Sequence, residues 1–180
     1  MSDLANISII LGSALGIIYS LMILFPGTLA GWARTFPRSR LWGIALAVGA
    51  MAWVEWLFVV VPMGQFEKMR PYLCVAGPVV LALMIIFMNE LLAPRALGGL
   101  MLLIPVHLLE AARWHDSRWR LLIVVIAYIM VIKGMVLVLN PYMFRKTVER
   151  FLVGDRGIRL WGVAGLVLSG VLVTLGFTVF

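Results

Sequence analysis

Trp119 to Leu139 reads WRLLIVVIAYIMVIKGMVLVL, and Arg120 and Lys133 are the charged residues in it. An α-helix needs about 20 predominantly apolar residues to cross the hydrocarbon core of a bilayer. The stretch therefore predicts a transmembrane helix. Further runs of this kind occupy residues 7–25, 41–61, 72–92, 96–112 and 160–180. Together they predict an all-α integral membrane protein with six transmembrane helices.

The composition supports this class for the chain as a whole. Of its 180 residues, 63% are hydrophobic and 13% are charged, and the mean hydropathy is +1.07. A soluble domain is about half apolar and about one quarter charged. These values argue against a soluble globule, a disordered chain and a nucleic-acid-binding module. We therefore expect a single transmembrane domain over 1–180 with membrane lipids among its partners and no nucleic acid.

The fourth run, 96–112, is the least regular, since Pro105, His107 and Glu110 interrupt it. A re-entrant or interfacial segment is the alternative to a membrane-spanning helix here.

Basic residues in the loops predict the orientation, because Lys and Arg favour the cytoplasmic side. The odd-numbered loops carry nine and the even-numbered loops five. The net charge of +7 fits basic loops lying beside anionic lipid headgroups. We expect a multi-pass protein of a bacterial inner membrane with both termini outside. The nine are Arg34, Arg38, Arg40, Arg95, Arg145, Lys146, Arg150, Arg156 and Arg159, and the five are Lys68, Arg70, Arg113, Arg118 and Arg120.

A short motif recurs at the starts of the even-numbered runs. Arg40-Leu41-Trp42-Gly43 is repeated as Arg159-Leu160-Trp161-Gly162, and Arg95-Ala96-Leu97-Gly98 is a weaker copy. Such repetition indicates a repeated structural unit. We predict three repeated helical hairpins, at about 7–61, 72–112 and 119–180.

The third hairpin also contains an amphipathic segment after Pro141, followed by Asp155, Arg159 and Gly162. In this it resembles a family of short bacterial inner-membrane proteins that consist of two helices and have no known function. The resemblance implies that the chain is a triplicated form of that unit. The family supplies no catalytic residues, so no chemistry is implied.

Small residues recur at every fourth position of the first run, at Ser8, Gly12, Gly16 and Ser20. Such a stripe allows another helix to approach closely. It predicts helix packing within the bundle, and docking onto a partner subunit is the alternative.

An ionisable side chain within a membrane span is costly in free energy, so each such residue is a candidate functional residue. Glu55 lies deep in the second run, and Glu110 lies at the same distance from Arg95 as Glu55 does from Arg40. His107 precedes Glu110 by one helical turn. Glu55, His107 and Glu110 are therefore a candidate intramembrane polar cluster for protons or cations. The alternative is purely structural hydrogen bonding.

Little in the sequence indicates catalysis. With Cys74 as the single cysteine and two histidines, no disulfide, zinc or haem site is expected. Phosphate-binding, nucleophile-elbow and HExxH motifs are absent from the sequence. We expect no enzyme activity and no cofactor or metal.

The leading hypothesis is an accessory or scaffolding subunit of a larger inner-membrane complex. The alternative is a small transporter or ion-conducting protein that acts as an oligomer and uses the polar cluster. An electron-transfer subunit is a third class, without ligands to support it.

Overall fold

A computed structural model describes residues 3–62, 64–87, 91–114, 117–151 and 154–180, with the backbone alone for 3, 66, 151 and 154–156. Within these ranges the regular structure is entirely helical. Two 3-10 segments, Phe36–Arg38 and Gly64–Met69, accompany eight α-helices. The helices are α1 (Asp3–Leu24), α2 (Pro26–Thr35), α3 (Arg40–Val60), α4 (Arg70–Phe87), α5 (Leu92–Arg113), α6 (Arg120–Leu139), α7 (Tyr142–Phe151) and α8 (Gly154–Thr178).

The prediction of six membrane-spanning helices is confirmed at the level of length and composition. In the described part of the chain, α1, α3, α4, α5, α6 and α8 are long and apolar enough to cross a membrane. α5 continues through Pro105 without a break. Proline is tolerated inside transmembrane helices because neighbouring groups satisfy the carbonyl that it leaves without a donor. The uninterrupted α5 favours a full span over a re-entrant segment.

The boundary between the third and fourth spans differs from the prediction. The apolar run was expected to extend to Leu92, but Leu92 is the first residue of α5. Leu91, immediately before it, has a φ of 59°. A helix cannot pass through this left-handed conformation. Hydropathy alone did not reveal the boundary, because apolar residues lie on both sides of it.

Two short helices, α2 and α7, follow α1 and α6. α7 carries the charged residues expected of an amphipathic surface helix, including an ion pair between Arg145 and Glu149 at 2.8 Å. Phe36, at the end of α2, packs against Phe144 of α7 with ring centroids 5.6 Å apart. This contact brings the segment after α2 and the start of α7 together.

The chain divides into two compact units. The terminal unit comprises the chain up to Arg34, Ile104–Ile132 and the chain from Arg145 onward. The central unit comprises Thr35–Leu103 and Lys133–Phe144. The core of the terminal unit is formed by apolar side chains of α1, α5, α6 and α8, namely Leu4, Leu108, Ala112, Ile123, Ala127 and Leu172.

Among the contacts of the described residues, α1 packs on α8 and α3 packs on α4. α1 and α8 are the first and sixth spans of the chain, and α3 and α4 are the second and third spans. These pairs run across the boundaries of the hairpins predicted from the repeated motif. The triplicated hairpin arrangement therefore stays a prediction.

Candidate functional site

Glu55 lies on α3 and turns its carboxyl group toward α4. The residue is half-buried, and its Oε1 atom is buried without a hydrogen-bond partner among the described residues. A Cβ atom added to Gly77 of α4 would overlap both this oxygen and the Cε atom of Met51. Gly77 therefore leaves the space that the two side chains occupy. The carboxyl group lies between two helices rather than in lipid.

Further polar groups of α4 line the same contact. Cys74 is half-buried, and its thiol interacts with the Glu55 carboxyl group by a hydrogen bond. Arg70 donates from Nη2 to the Val61 carbonyl oxygen at 3.1 Å and pairs with Glu67 at 3.1 Å. Arg70, Cys74 and Gly77 are four and three residues apart, so they share one face of α4. We call the contact formed by Met51, Glu55, Arg70, Cys74 and Gly77 the acidic seam.

Glu55 of this seam was predicted from the sequence as a site residue, whereas Cys74 and Gly77 were not. Their spacing from Arg70 was the available signal, because residues at i, i+4 and i+7 lie on one helix face. Chemically, the seam offers a carboxyl group that can exchange a proton or accept a hydrogen bond from a donor on another helix.

The other two residues of the predicted polar cluster lie on α5 in the terminal unit, whereas Glu55 belongs to the central unit. His107 is half-buried and Glu110 is exposed. Across the described residues, no group of three or more His, Cys, Asp or Glu side chains could hold a metal ion. His115 lies outside the described residues.

Two further basic residues of the spans and loops have defined environments. The Arg113 guanidinium lies over the Trp114 ring, 5.2 Å from its centroid. Lys133 is exposed on α6.

The small residues of α1 pack against α8. Ser8 is fully buried. A Cβ on Gly12 would lie 2.8 Å from Val173 Cγ2, and one on Gly16 would lie 2.7 Å from Ser169 Oγ. Ser20 is half-buried at the next position of the stripe.

α8 contributes small residues to the same contact, which we call the small-residue seam. A Cβ on Gly176 would lie 3.2 Å from the Ala5 carbonyl oxygen. At the other end of the contact, a Cβ on Gly165 would overlap the Tyr19 ring. Later residues of α8 thus meet earlier residues of α1, so the two helices are antiparallel. The seam contains Ser8, Gly12, Gly16, Gly165, Ser169 and Gly176.

The three glycines of the repeated motif all lie where another part of the chain approaches closely. An added Cβ would lie 3.0 Å from the Ala93 nitrogen at Gly43 and 2.9 Å from the Gly134 oxygen at Gly98. At Gly162 it would lie 2.8 Å from Ile23 Cγ1. The motif glycines therefore have a common packing role.

The three arginines of the motif occupy different environments. Arg40 and Arg159 are exposed, whereas Arg95 is half-buried. Arg95 lines an open apolar cavity of about 410 Å³ in the central unit. Side chains of α3, α4 and α5, with Val138 of α6, form the rest of its described lining.

Comparisons of this chain with protein-family profiles, curated proteins and solved structures find no match. The resemblance to short two-helix bacterial proteins therefore stays a prediction. The functional proposals below depend on the residues and their geometry.

Proposed function

We propose that this chain is an accessory, scaffolding subunit of a larger inner-membrane assembly. The observation that carries the proposal is the exposure of α4. None of its residues is buried, and the apolar window Glu67–Phe87 is 0% buried, against 39% for Leu92–Arg113. Such a helix has most of its surface available to another membrane protein.

The acidic seam supports a protein partner at this surface. The Oε1 atom of Glu55 has no hydrogen-bond partner among the described residues, and it lies against α4 at Gly77. Polar side chains that hydrogen-bond across helices stabilise helix association in membranes. A partner helix that lies along α4 and carries a hydroxyl or amide donor would complete the seam.

Site-specific photocrosslinking tests the proposal in the native membrane. A photoreactive amino acid is placed at Val79 of α4, which is 52% exposed, or at Val167 of α8, which is 61% exposed. We expect Val79 to give a cross-link to one membrane protein, and that protein to co-purify with the chain in mild detergent. Val167 is the matched control on the terminal unit. Lipid adducts alone at both positions would contradict the proposal.

The proposed orientation places both termini in the periplasm. The excess of basic residues in the odd-numbered loops supports it, and so does the Phe36–Phe144 contact between two of these loops. A cysteine is introduced at Ser2 or at Lys146 in a Cys74→Ala background, and intact cells are treated with a thiol reagent that cannot cross the membrane. Labelling shows that the introduced cysteine faces the outside. We expect labelling at Ser2 and none at Lys146. The opposite pattern would reverse the orientation.

The hairpin repeat is also part of the proposal. The common packing role of Gly43, Gly98 and Gly162 supports it. In an experimental structure of the assembly, the segments 7–61, 72–112 and 119–180 should superpose as hairpins. Unrelated hairpin shapes would show that the motif arose without triplication.

A second candidate function is proton or cation transport by a homo-oligomer that uses Glu55, His107 and Glu110. The buried Oε1 atom of Glu55 favours it, because this oxygen has no hydrogen-bond partner among the described residues and could accept a proton or contact a cation. Glu55→Gln preserves size and hydrogen bonding but removes titration. Transport predicts that Glu55→Gln abolishes proton flux in proteoliposomes, while Glu149→Gln on the surface helix α7 leaves it intact. A subunit role predicts no flux in the wild type.

A further inference from the structure

The apolar cavity of the central unit has one charged group in its described lining, Arg95, which lies one helical turn from the start of the wall on α5. This wall extends from Leu92 to Leu103, or about 17 Å along the helix axis. One leaflet of the hydrocarbon core is about 15 Å deep. The cavity is therefore about as long as a single leaflet is deep, and a guanidinium group lies in the first turn of α5.

The geometry points to a binding site for an anionic phospholipid, whose acyl chain fills the cavity while its phosphate lies against Arg95. A volume of about 410 Å³ falls within the range of about 300–1,000 Å³ that is typical of ligand pockets. Basic pockets between transmembrane helices bind anionic lipid headgroups. The N-terminal end of α5 adds positive partial charge next to Arg95.

The wall of the cavity also explains how an acyl chain fits. Ala47 and Ala50 of α3 and Ala96 and Gly99 of α5 contribute small side chains. A Cβ added to Gly99 would meet nothing within 4 Å, so space is open at this position. A flexible chain of methylene groups can adapt to such a wall, and its burial is favourable in proportion to the apolar contact.

Two pairs of substitutions test the site. Arg95→Gln removes the cation, and Arg40→Gln removes the equivalent motif residue of α3, which is exposed. Gly99→Phe fills the cavity, and Gly49→Phe places the same ring on an exposed part of α3 where a Cβ also meets nothing within 4 Å. Because neither glycine position is crowded, both phenylalanine variants are expected to fold. A monodisperse size-exclusion profile checks this.

The full-length chain is placed in nanodiscs that contain equal amounts of phosphatidylglycerol and phosphatidylcholine with identical acyl chains. Native mass spectrometry then measures which lipids stay bound after ejection. We expect the wild type and Arg40→Gln to retain phosphatidylglycerol preferentially. In Arg95→Gln the preference for phosphatidylglycerol should be about fivefold weaker. A change of this size corresponds to the contribution of one basic side chain near an anionic surface. Gly99→Phe should lose the retained lipid, and Gly49→Phe should keep it.

Three results would overturn the lipid site. The first is equal retention of the two lipids by the wild type, and the second is an equal effect of Arg95→Gln and Arg40→Gln. The third is a protein cross-link from a photoreactive residue at Gly99, because a partner helix would then occupy the cavity. The lipid site does not depend on the proposed subunit function, since the cross-link from Val79 tests a different surface.

Discussion

The α1–α8 contact and the α3–α4 contact are formed by different kinds of residues. In the small-residue seam, glycines and serines on both helices bring α1 and α8 into close contact, and Ser8 and Leu172 are fully buried there. In the acidic seam, Gly77 receives the ends of two long side chains, Met51 and Glu55. No residue of α4 is buried. The small-residue seam is a closely packed interface. The acidic seam contains the buried Oε1 atom of Glu55, which has no hydrogen-bond partner among the described residues.

This difference between the two seams predicts how substitutions in each of them change the free energy of unfolding. Between helices in a membrane, close van der Waals contact stabilises the pair, and small residues make that contact possible. A buried polar atom without a partner works against stability. Such departures from favourable packing concentrate at functional sites. We therefore expect substitutions to be harmful in the small-residue seam and mild or even stabilising in the acidic seam of the isolated chain.

The largest expected effect is that of Gly12→Leu. The new side chain would start 2.8 Å from Val173 Cγ2 and 3.1 Å from the Ser169 carbonyl oxygen. Because the latter is backbone, the helices have to separate. We expect a loss of about 3 kcal/mol in the free energy of unfolding, the upper end for overpacking a core. Equilibrium unfolding in mixed detergent micelles measures it.

Gly170→Leu is the matched control for this prediction. Gly170 is exposed on α8, and a Cβ there meets nothing within 4 Å. Its free energy of unfolding should stay close to that of the wild type. Equal losses in the two variants would mean that the α1–α8 contact is not what stabilises the terminal unit.

The second prediction has the opposite sign and concerns the acidic seam. Glu55→Leu removes a buried oxygen that has no hydrogen-bond partner among the described residues. Burying an unsatisfied polar group costs about 1–3 kcal/mol, so the isolated chain should gain about 1 kcal/mol. Glu149→Leu on α7 breaks an exposed ion pair with Arg145 and should lose about 0.4 kcal/mol.

A loss of stability in Glu55→Leu would show that the chain itself supplies a partner for Oε1 or that the Cys74 contact outweighs its absence. The acidic seam would then be structural. A gain in the isolated chain together with weaker assembly in the membrane would locate the missing donor on another subunit.

The spans were largely predictable from the sequence, because a continuous apolar run of sufficient length has few alternatives to a transmembrane helix. Thus α6 spans Arg120–Leu139, where the run 119–139 was expected. The helix pairs were not predictable in this way. Every face of such a helix is apolar, so hydropathy does not distinguish a face that contacts protein from one that contacts lipid. The stripe from Ser8 to Ser20 predicted a close contact, but not that α8 forms it.

The acidic seam illustrates the same limit for the candidate site. Glu55 stood out because a carboxyl group in an apolar run is costly. Gly77 did not stand out, since its role depends on the side chains of Met51 and Glu55 on another helix. The pairing of Glu55 with His107 and Glu110 was inferred from equal distances along the sequence. Equal depth alone does not show that these residues meet, so their grouping stays a prediction.

The third prediction compares two serines of α1 that make the same hydrogen bond. Ser8 Oγ donates to the Leu4 carbonyl oxygen at 2.6 Å, and Ser13 Oγ donates to the Ile9 carbonyl oxygen at 2.7 Å. Ser8 is buried in the small-residue seam and Ser13 is exposed. Ser8→Ala should cost about 0.6 kcal/mol, a typical value for a hydrogen bond in a membrane protein. Ser13→Ala should cost less than half as much, because no helix packs against it. Equal costs in the unfolding assay would show that burial in the seam adds nothing.

The smallest expected effect is that of Gly77→Ala, and it tests how rigid the acidic seam is. The new methyl group would overlap Met51 Cε and Glu55 Oε1, but both are the far ends of flexible side chains that can rotate away. Alanine also favours the helix by about 1 kcal/mol relative to glycine. The two terms should nearly cancel, so the free energy of unfolding should hardly change. Gly12→Ala gains the same helix propensity, yet it meets the Ser169 backbone oxygen at 3.1 Å and should be destabilising. If Gly77→Ala costs as much as Gly12→Ala, then Met51 and Glu55 are held as firmly as backbone, and the acidic seam is as tightly closed as the small-residue seam.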